Sequence, residues 1–353
     1  MNALVVPTNR VEHLAEFLAA WAPWPWDRII IVRDGPELDL RLPAGLEAEA
    51  AERLEAFSWA EIDALLPEPW IISRNDAAIR SFGFWRAWAT GAEIILTLDD
   101  DCFPAGDDLV PLHRKNLYRT PRWESSVPGM RVRGLPYRNL GTLPDVQVSM
   151  GLWRGCPDLD AVTTLAAAAP AASVADAPTR VMSAEQYFPL SGMNVAFRRD
   201  VACLMYFPPM GRQQPFRRFD DIWGGLVLQR ICRHLGYSIV CGRPFVDHRR
   251  ASDPFANLSK ETPGIVANER VWEAIDAVEL GSSDPLGCMR EMGGALAQRQ
   301  DDYLATWGNA IGKWCDLFDL AEQGDPEGGR GGGEPDRARG RDASQGSPTR
   351  AVP

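Results

Sequence analysis

Three consecutive aspartates, Asp99, Asp100 and Asp101, form the strongest candidate for a chemical site in this chain. Closely spaced carboxylates supply the hard oxygen ligands that Mg²⁺ or Mn²⁺ prefers. Three adjacent negative charges also repel one another unless a cation joins them. In an extended segment Asp99 and Asp101 would point to one side and Asp100 to the other. We therefore predict Asp99 and Asp101 as metal ligands, while a solvated acidic loop explains the triplet about equally well on its own.

Two further groups later in the chain have side chains suited to chemistry. Asp220 and Asp221 open the helical segment 220–235, where a capping role and the helix dipole account for one of them. The second suits a general base or an acceptor of ligand hydroxyl groups, so we predict both as catalytic residues. His248 would complete the metal shell with an imidazole nitrogen, although a lone histidine is more often a structural residue.

The N-terminal third of the sequence predicts the elements that would position these groups. An apolar run at residues 3–7, a one-sided helical pattern at 11–21 and a second apolar run at 28–32 indicate strand, helix and strand. Residues 93–98 indicate a strand buried on both faces that ends at the aspartates. Ligands of open α/β sheets bind at the carboxyl ends of strands. We therefore predict an α/β fold with a mostly parallel central sheet and a site at that edge.

The rest of the chain divides into a loop-rich middle, a helical end and a polar tail. Residues 104–165 contain frequent prolines and glycines, which predicts mostly loops. Apolar residues at helical spacing near the C-terminus predict a docked helix. The predicted units are a single site-bearing domain at 1–260, a C-terminal helical extension at 261–322 and a disordered tail at 323–353, where apolar residues almost vanish.

The composition narrows the classes of function. The formal net charge of −11 argues against a broad nucleic-acid surface, because phosphate backbones are held mainly by clustered Lys and Arg. No apolar run approaches the ~20 residues that span a bilayer. The 7 cysteines include no CxxC pair, and the chain starts without a signal-peptide pattern. We expect reduced thiols and a cytoplasmic location.

A series of sequence blocks occurs in one collinear order over residues 5–260, which is more specific than any single motif. The blocks are DDDCF at 99–103, VRGLP at 132–136, GLW at 151–153 with PDLDA at 157–161, SGMNVAF at 191–197, FDDIWG at 219–224 and HRRASDPFANL at 248–258. Together they resemble the reversibly glycosylated polypeptides, the family that includes the UDP-arabinopyranose mutases of plants.

This resemblance implies a glycosyltransferase-A-like fold, a UDP-sugar ligand, and Mn²⁺ or Mg²⁺ as the metal. It also implies reversible glycosyl transfer to an arginine of the protein itself, and Arg133 is the residue at the matching position. A loop arginine would otherwise be interpreted as a phosphate-binding or surface residue. Leu140 stands where the plant members carry a second functional arginine, and this departure bears on mutase activity rather than on UDP-sugar binding.

The resemblance also points to ligand contacts around the acidic run. Thr8 and Arg10 follow the first predicted strand, and Asp34 ends the second. Asp100 lies between the predicted metal ligands, and Arg80 precedes their strand, from where it would meet the diphosphate. We predict these five residues as contacts of the nucleotide or its phosphates. A turn-forming role explains Asp34 equally well, because a glycine and a proline follow it.

On this resemblance, the expected function is that of a UDP-sugar-dependent, reversibly self-glycosylating enzyme that interconverts pyranose and furanose forms. Two alternatives stay open: a glycosyltransferase with an external acceptor, and a non-catalytic UDP-sugar-binding scaffold. The expected substrate is UDP-arabinose or a UDP-hexose. The sequence does not decide between them, because selectivity for sugar hydroxyl groups depends on pocket geometry and not on motif type. We expect neither a nucleic-acid partner nor a membrane span, and homo- or hetero-oligomers are compatible with this interpretation.

Overall fold

The computed structural model describes residues 1–38, 40, 42, 48–118, 145–166, 178–249 and 253–324. The strands are β1 (Asn2–Thr8), β2 (Arg28–Arg33), β3 (Leu54–Phe57), β4 (Ile94–Leu98), β5 (Cys102–Pro104), β6 (Asp145–Gly155), β7 (Arg180–Val181), β8 (Asn194–Arg198) and β9 (Tyr237–His248). The helices are α1 (Val11–Trp21), α2 (Ala48–Glu52), α3 (Trp59–Leu65), α4 (Arg80–Ala89), α5 (Leu109–Leu117), α6 (Ala161–Ala166), α7 (Asp220–Leu235), α8 (Pro254–Asp276), α9 (Pro285–Ala297) and α10 (Asp302–Gly324). Short 3₁₀ segments lie at Pro69–Ile71, Ala77–Ile79 and Arg199–Leu204.

One mixed sheet joins these strands in the order β3-β2-β1-β4-β8-β6-β9-β5, with β7 against β9. Strands β1 to β4, β6 and β9 run in one direction, and β5, β7 and β8 run in the other. The predicted α/β class with a mostly parallel sheet is therefore confirmed for the described residues. The predicted strand, helix and strand at the N-terminus correspond to β1, α1 and β2.

Strands β1, β2 and β4 are buried because helices cover both sides of the sheet. Leu4 and Val6 belong to the core that includes α1, whereas Ala3 and Val5 belong to the core that includes α4. Gly83 of α4 allows a close approach, since a Cβ there would lie 2.4 Å from Cγ1 of Val5. Strand β1 has β2 on one side and β4 on the other. The chain segments that follow β1 and β4 therefore lie side by side, where open α/β sheets bind ligands.

The C-terminal helices share a core with the sheet. Trp314 of α10 is fully buried, its ring stacks on Tyr206 at 5.0 Å, and its Nε1 donates to the carbonyl of Cys203 at 2.8 Å. The boundary predicted between residues 260 and 261 falls inside α8, which begins at Pro254. Helix α10 extends to Gly324, and the rest of the predicted tail lies outside the described residues. No described helix is both long and apolar enough to cross a membrane.

The loop-rich middle contains three regular elements that the sequence pattern did not predict, namely α5, β6 and nearly all of α6. Strand β6 carries buried polar side chains, which obscures its apolar pattern. Ser149 is fully buried and is satisfied by His113 at 2.9 Å and by Asn116 at 3.0 Å, both from α5. Strand β9 contains an internal Gly-Arg-Pro segment, which a register irregularity opposite Gly151 and Leu152 of β6 absorbs.

Candidate functional site

The acidic run leaves β4 in a turn and contacts two arginines. A backbone hydrogen bond of 3.0 Å closes the turn over residues 99–102, so the chain does not continue as an extended strand. The predicted alternation of the three side chains is therefore wrong. Instead Asp99 pairs with Arg80, whereas the other two aspartates share Arg10.

Thr8 and Arg10 reach from the end of β1 to the aspartates that follow β4. The Thr8 hydroxyl donates to Oδ2 of Asp100 at 2.6 Å and accepts the backbone N–H of Arg10 at 3.1 Å. The Arg10 guanidinium donates to both oxygens of Asp100 and, at 3.1 Å, to Oδ2 of Asp101. Protein groups thus hold Asp100, whose side chain is 3% exposed. The structure brings Thr8, Arg10 and Asp100 together, and their contacts with a nucleotide stay predictions.

Arg80 lies beneath the acidic run and is almost completely buried. Its guanidinium donates to groups from several segments, namely the Asp99 carboxylate at 2.6 Å, the Thr97 hydroxyl at 3.3 Å and the carbonyls of Ala77 and Gly192. Burial works against ionisation of Asp99, yet the charge of Arg80 lowers the pKa of that carboxyl. The predicted contact of Arg80 with a diphosphate is therefore corrected, because its guanidinium is committed to the protein interior as the counter-ion of Asp99.

His248, at the end of β9, lies next to Asp101. Its Nδ1 is 2.8 Å from the carbonyl of Cys156 and donates to it, so in the neutral form of the ring the lone pair is on Nε2. That nitrogen is 3.7 Å from Oδ1 of Asp101, a buried oxygen with no hydrogen-bond partner among the described residues. An unpaired carboxylate oxygen beside an imidazole lone pair is typical of a position that receives a cation.

Asp101 and His248 fit a shared divalent cation, although a full set of ligands is not assembled. Two ligand atoms each about 2.1 Å from one ion lie at most ~4.2 Å apart, and the observed separation is 3.7 Å. Among the described residues, no three His, Cys, Asp or Glu side chains are arranged to hold a metal ion. Asp99, the third predicted ligand, is turned toward Arg80. The metal role of Asp99, Asp101 and His248 stays a prediction.

Asp220 and Asp221 form a second buried acidic group at the start of α7. The capping explanation is wrong, because Phe219 is the N-cap residue and its side chain makes no capping hydrogen bond, whereas both aspartates lie in the first turn. Oδ2 of Asp221 accepts the backbone N–H of Gly192 at 2.8 Å and so fixes the segment before β8. Burial and the charge of Asp76 raise the pKa of Asp220 to about 7. Asp220 is therefore suited to exchange a proton near neutral pH.

Asp76 belongs to this acidic group, and the sequence analysis missed it. Burial raises the pKa of Asp76 to about 6, and its carboxylate accepts the backbone N–H groups of Ala78 and Arg218. The flanking Asn75 and the partner Arg218 have φ angles of 61° and 62°, which are uncommon for residues other than glycine. Such conformations cluster at functional sites. The one available sequence signal was the Asn-Asp pair, which is typical of a turn.

Asp34 connects the end of β2 to the segment that carries Asp76. Its Oδ1 accepts hydrogen bonds from Nε1–H of Trp59 at 2.9 Å and from the backbone N–H of Asn75 at 2.8 Å. Burial raises the pKa of Asp34 above its ordinary value. The described contacts of Asp34 are structural and extend beyond a local turn, and its contact with a nucleotide stays a prediction.

Arg133 and its motif lie outside the described residues, as does Leu140. The guanidinium of Arg80 connects the acidic run with the acidic group at the start of α7. Its charge interacts with Asp99 of the first and with Asp220 and Asp221 of the second. The predicted site residues near the sheet therefore share one region, while glycosyl transfer to Arg133 stays a prediction.

Comparisons with known proteins agree over nearly the whole chain. The family described as "Reversibly glycosylated polypeptide" matches residues 3–322. UDP-arabinopyranose mutase 1 of Oryza sativa subsp. japonica is 36% identical, with 90% of each chain covered. Probable UDP-arabinopyranose mutase 1 of Solanum tuberosum is 34% identical, covering 90% of this chain and 89% of its own. UDP-arabinopyranose mutase 1 of Arabidopsis thaliana is 32% identical, covering 90% of this chain and 91% of its own.

Asp220→Asn should stabilise the protein in alkaline solution and change little in acid. A carboxyl whose pKa is raised to about 7 binds its proton more tightly in the folded state. Its stabilising contribution is therefore present below the unfolded pKa of about 4 and is lost as the pH rises toward 7. The amide does not ionise, so the free energy of unfolding of the variant should exceed that of the wild type by about 1–3 kcal/mol at alkaline pH. Thermal unfolding followed across this pH range measures the difference.

Asp200→Asn is the control for that measurement, because the Asp200 side chain is 58% exposed. It removes one carboxylate at the surface and leaves the buried acidic group unchanged, so it controls for the loss of one negative charge as such. A difference between Asp220→Asn and wild type that does not change with pH would contradict the raised pKa of Asp220.

Proposed function

The chain belongs to the reversibly glycosylated polypeptide family, and we propose on that premise that it is a UDP-sugar-dependent mutase. The resemblance indicated by the sequence blocks is confirmed, and the relationship makes the chain a mutase-like enzyme. The proposed substrate is UDP-arabinose or a UDP-hexose, interconverted between pyranose and furanose forms. The observation that carries the proposal is Oδ1 of Asp101, which has no hydrogen-bond partner among the described residues and lies 3.7 Å from Nε2 of His248.

A glycosyltransferase-A-like fold is part of this proposal. It is supported by the parallel strand order β3-β2-β1-β4, with the acidic run following β4. In sheets of this kind the ligand lies over the carboxyl ends of neighbouring strands. Thr8 at the end of β1, Arg10 just after it and Asp34 after β2 lie at the same edge of the sheet. We propose that these three residues contact the nucleotide.

Asp101 and His248 would hold Mn²⁺ or Mg²⁺ in this proposal, and Asp99 would be their third partner. Arg80 engages Oδ1 of Asp99, while 31% of the Asp99 side chain is exposed. A cation held there would neutralise the charge that develops on the diphosphate as it leaves. The protein's own contribution is to hold Asp99 and Asp101 in the turn after β4, to place His248 beside them at the end of β9, and to keep Asp99 ionised.

We further propose that the sugar is transferred reversibly to Arg133. A guanidinium is a poor nucleophile because its pKa lies above ~12. Formation of the bond from the anomeric carbon to nitrogen, as the bond to UDP breaks, therefore requires a carboxylate to take the proton. Asp220, with a pKa of about 7, is the proposed base. The family relationship, and not the described geometry, supports the choice of Arg133.

A glycosyltransferase that uses an external acceptor is the second candidate function. The observation that favours it is Leu140, at the position where the resemblance implies a second functional arginine. Incubation with UDP-sugar in the absence of an acceptor separates the two, because only a mutase then forms an isomeric product. A UDP-sugar-binding scaffold would show no turnover with or without acceptor.

Asp101→Asn should abolish most of the metal-dependent affinity for UDP and the formation of furanose product from UDP-arabinopyranose. The amide keeps the size of the side chain but removes the charge that holds a cation. We expect a loss of UDP affinity of at least about tenfold, ~1.4 kcal/mol, in the presence of Mn²⁺. Calorimetry with UDP and chromatography of the sugar nucleotides measure the two effects. Asp101 is preferred over Asp99, because Asp99 also neutralises the buried Arg80 and its replacement would disturb the fold.

Asp145→Asn is the matched control for Asp101→Asn. Asp145 is the first residue of β6, so it lies at the end of the sheet opposite to the acidic run. Its side chain is 54% exposed and pairs with Arg198. The control should bind UDP and turn over substrate as the wild type does. Undiminished Mn²⁺-dependent affinity for UDP in Asp101→Asn would sink the assignment of the site.

Arg133→Lys should lose sugar labelling while UDP binding persists. Lysine keeps the positive charge but lacks the planar guanidinium that would be positioned and deprotonated. The measurement is mass spectrometry after incubation with labelled UDP-sugar and Mn²⁺. Arg138→Lys, in the same segment but out of register with the family pattern, should keep the label. A label at wild-type level in Arg133→Lys, or a label on another residue, would show that transfer to Arg133 does not occur.

A further inference from the structure

Arg10 pairs with two aspartates of the acidic run, where a bound metal ion would otherwise neutralise their charge. Its guanidinium donates to both oxygens of Asp100 and, at 3.1 Å, to Oδ2 of Asp101. The Arg10 side chain is 29% exposed, whereas the Asp100 side chain beneath it is 3% exposed. The guanidinium therefore neutralises two buried carboxylates from the solvent side of the site.

Asp101 has two oxygens, and each faces a different cation position. Oδ2 accepts from Arg10, while Oδ1 is unpaired among the described residues and lies 3.7 Å from Nε2 of His248. A divalent cation between Asp101 and His248 would share one carboxylate with the guanidinium. Two cations on one carboxylate lie only a few ångströms apart and repel each other, so each weakens the binding of the other.

A bound diphosphate would relieve the repulsion between Arg10 and the metal ion, because the guanidinium could bind the phosphate oxygens in place of Asp101. The planar fork of arginine matches phosphate as well as carboxylate oxygens. A nucleotide diphosphate that binds over the ends of β1 and β4 would lie on the exposed side of Arg10, where the side chain can move toward it.

We propose that Arg10 is an exchangeable counter-ion that makes the binding of metal and diphosphate cooperative. In the nucleotide-free protein Arg10 neutralises Asp100 and Asp101 and suppresses the affinity for a divalent cation. The diphosphate draws Arg10 away from Asp101 and frees that carboxylate for the metal. By linkage the metal then raises the affinity for the nucleotide by the same factor. This inference rests on the proposed function and deepens it.

Arg80 differs from Arg10 in the features that permit exchange. Arg80 is 3% exposed and donates to the backbone carbonyls of Ala77 and Gly192 in addition to Asp99. Those carbonyls hold its guanidinium inside the protein. The side-chain contacts of Arg10 at the run are with carboxylates only, on a segment that leaves β1 at the surface. Exchange is therefore assigned to Arg10 and not to Arg80.

Arg10→Gln should bind Mn²⁺ about tenfold more tightly than the wild type in the absence of nucleotide. The neutral amide removes the competing charge and leaves a shorter, polar side chain at this position. The electron paramagnetic resonance signal of free Mn²⁺ measures this affinity without any assay of activity. The gain in UDP affinity on addition of Mn²⁺, measured by calorimetry, should be smaller in Arg10→Gln than in the wild type.

Two further variants control for charge and for folding. Arg114→Gln removes the same charge from a surface pair with Glu93 and should leave Mn²⁺ affinity unchanged. Arg10→Lys keeps the charge but cannot bond both aspartates through a planar fork. It should bind Mn²⁺ with an affinity between those of wild type and Arg10→Gln, and it carries the test alone if circular dichroism shows that the glutamine variant is unfolded.

The outcomes separate this inference from the proposed function. Unchanged or weaker Mn²⁺ binding by folded, nucleotide-free Arg10→Gln, with Asp101→Asn still losing Mn²⁺, would overturn the role of Arg10 and leave the metal site intact. Wild-type protein that binds UDP but no Mn²⁺ in any state would overturn the metal site and this inference together. Tighter Mn²⁺ binding by Arg10→Gln with a reduced effect of Mn²⁺ on UDP affinity supports the exchange.

Discussion

The buried guanidinium of Arg80 is the constraint on which the site depends. An arginine at this depth must be neutralised, because an unpaired buried charge costs several kcal/mol. Asp99 supplies the charge, and the Thr97 hydroxyl and backbone carbonyls before α4 and β8 accept further N–H groups. These contacts tie the end of β4 to two segments distant in sequence. The ion pair between Arg80 and Asp99 therefore fixes the turn over residues 99–102 from inside the protein, on the side away from the proposed ligand.

Acidic groups outnumber the arginines in this region, and the protein balances the excess in different ways. Arg80 and Arg10 neutralise part of it, the first permanently and the second from the surface. Protonation accounts for another part, since the pKa values of Asp76 and Asp220 rise to about 6 and about 7. Oδ1 of Asp101 is left without a partner among the described residues. In the proposed function this remaining negative charge would attract a divalent cation, which would in turn attract a diphosphate.

The parts of the fold with strong local patterns could be predicted from the sequence. Strands β1, β2 and β4 and helices α1 and α7 follow runs of apolar residues or helical spacing, and the acidic run was expected at a strand end. The role of Arg80 could not be predicted, because burial of a charged side chain depends on tertiary packing. The meeting of Asp101 with His248 arises from pairing of Cys102 with His248 in β5 and β9, which no local pattern encodes. Strand β6 was hidden because its buried polar residues are satisfied by side chains of another element.

The central claim is that one cation joins the acidic run to the diphosphate of a UDP-sugar. Pulsed electron paramagnetic resonance of Mn²⁺ bound to the protein with UDP tests it directly. We expect couplings to ³¹P of the diphosphate and to a single imidazole nitrogen in one spectrum, with the nitrogen coupling lost in His248→Gln. A bound Mn²⁺ that shows the ³¹P coupling but no nitrogen coupling in the wild type would contradict the account.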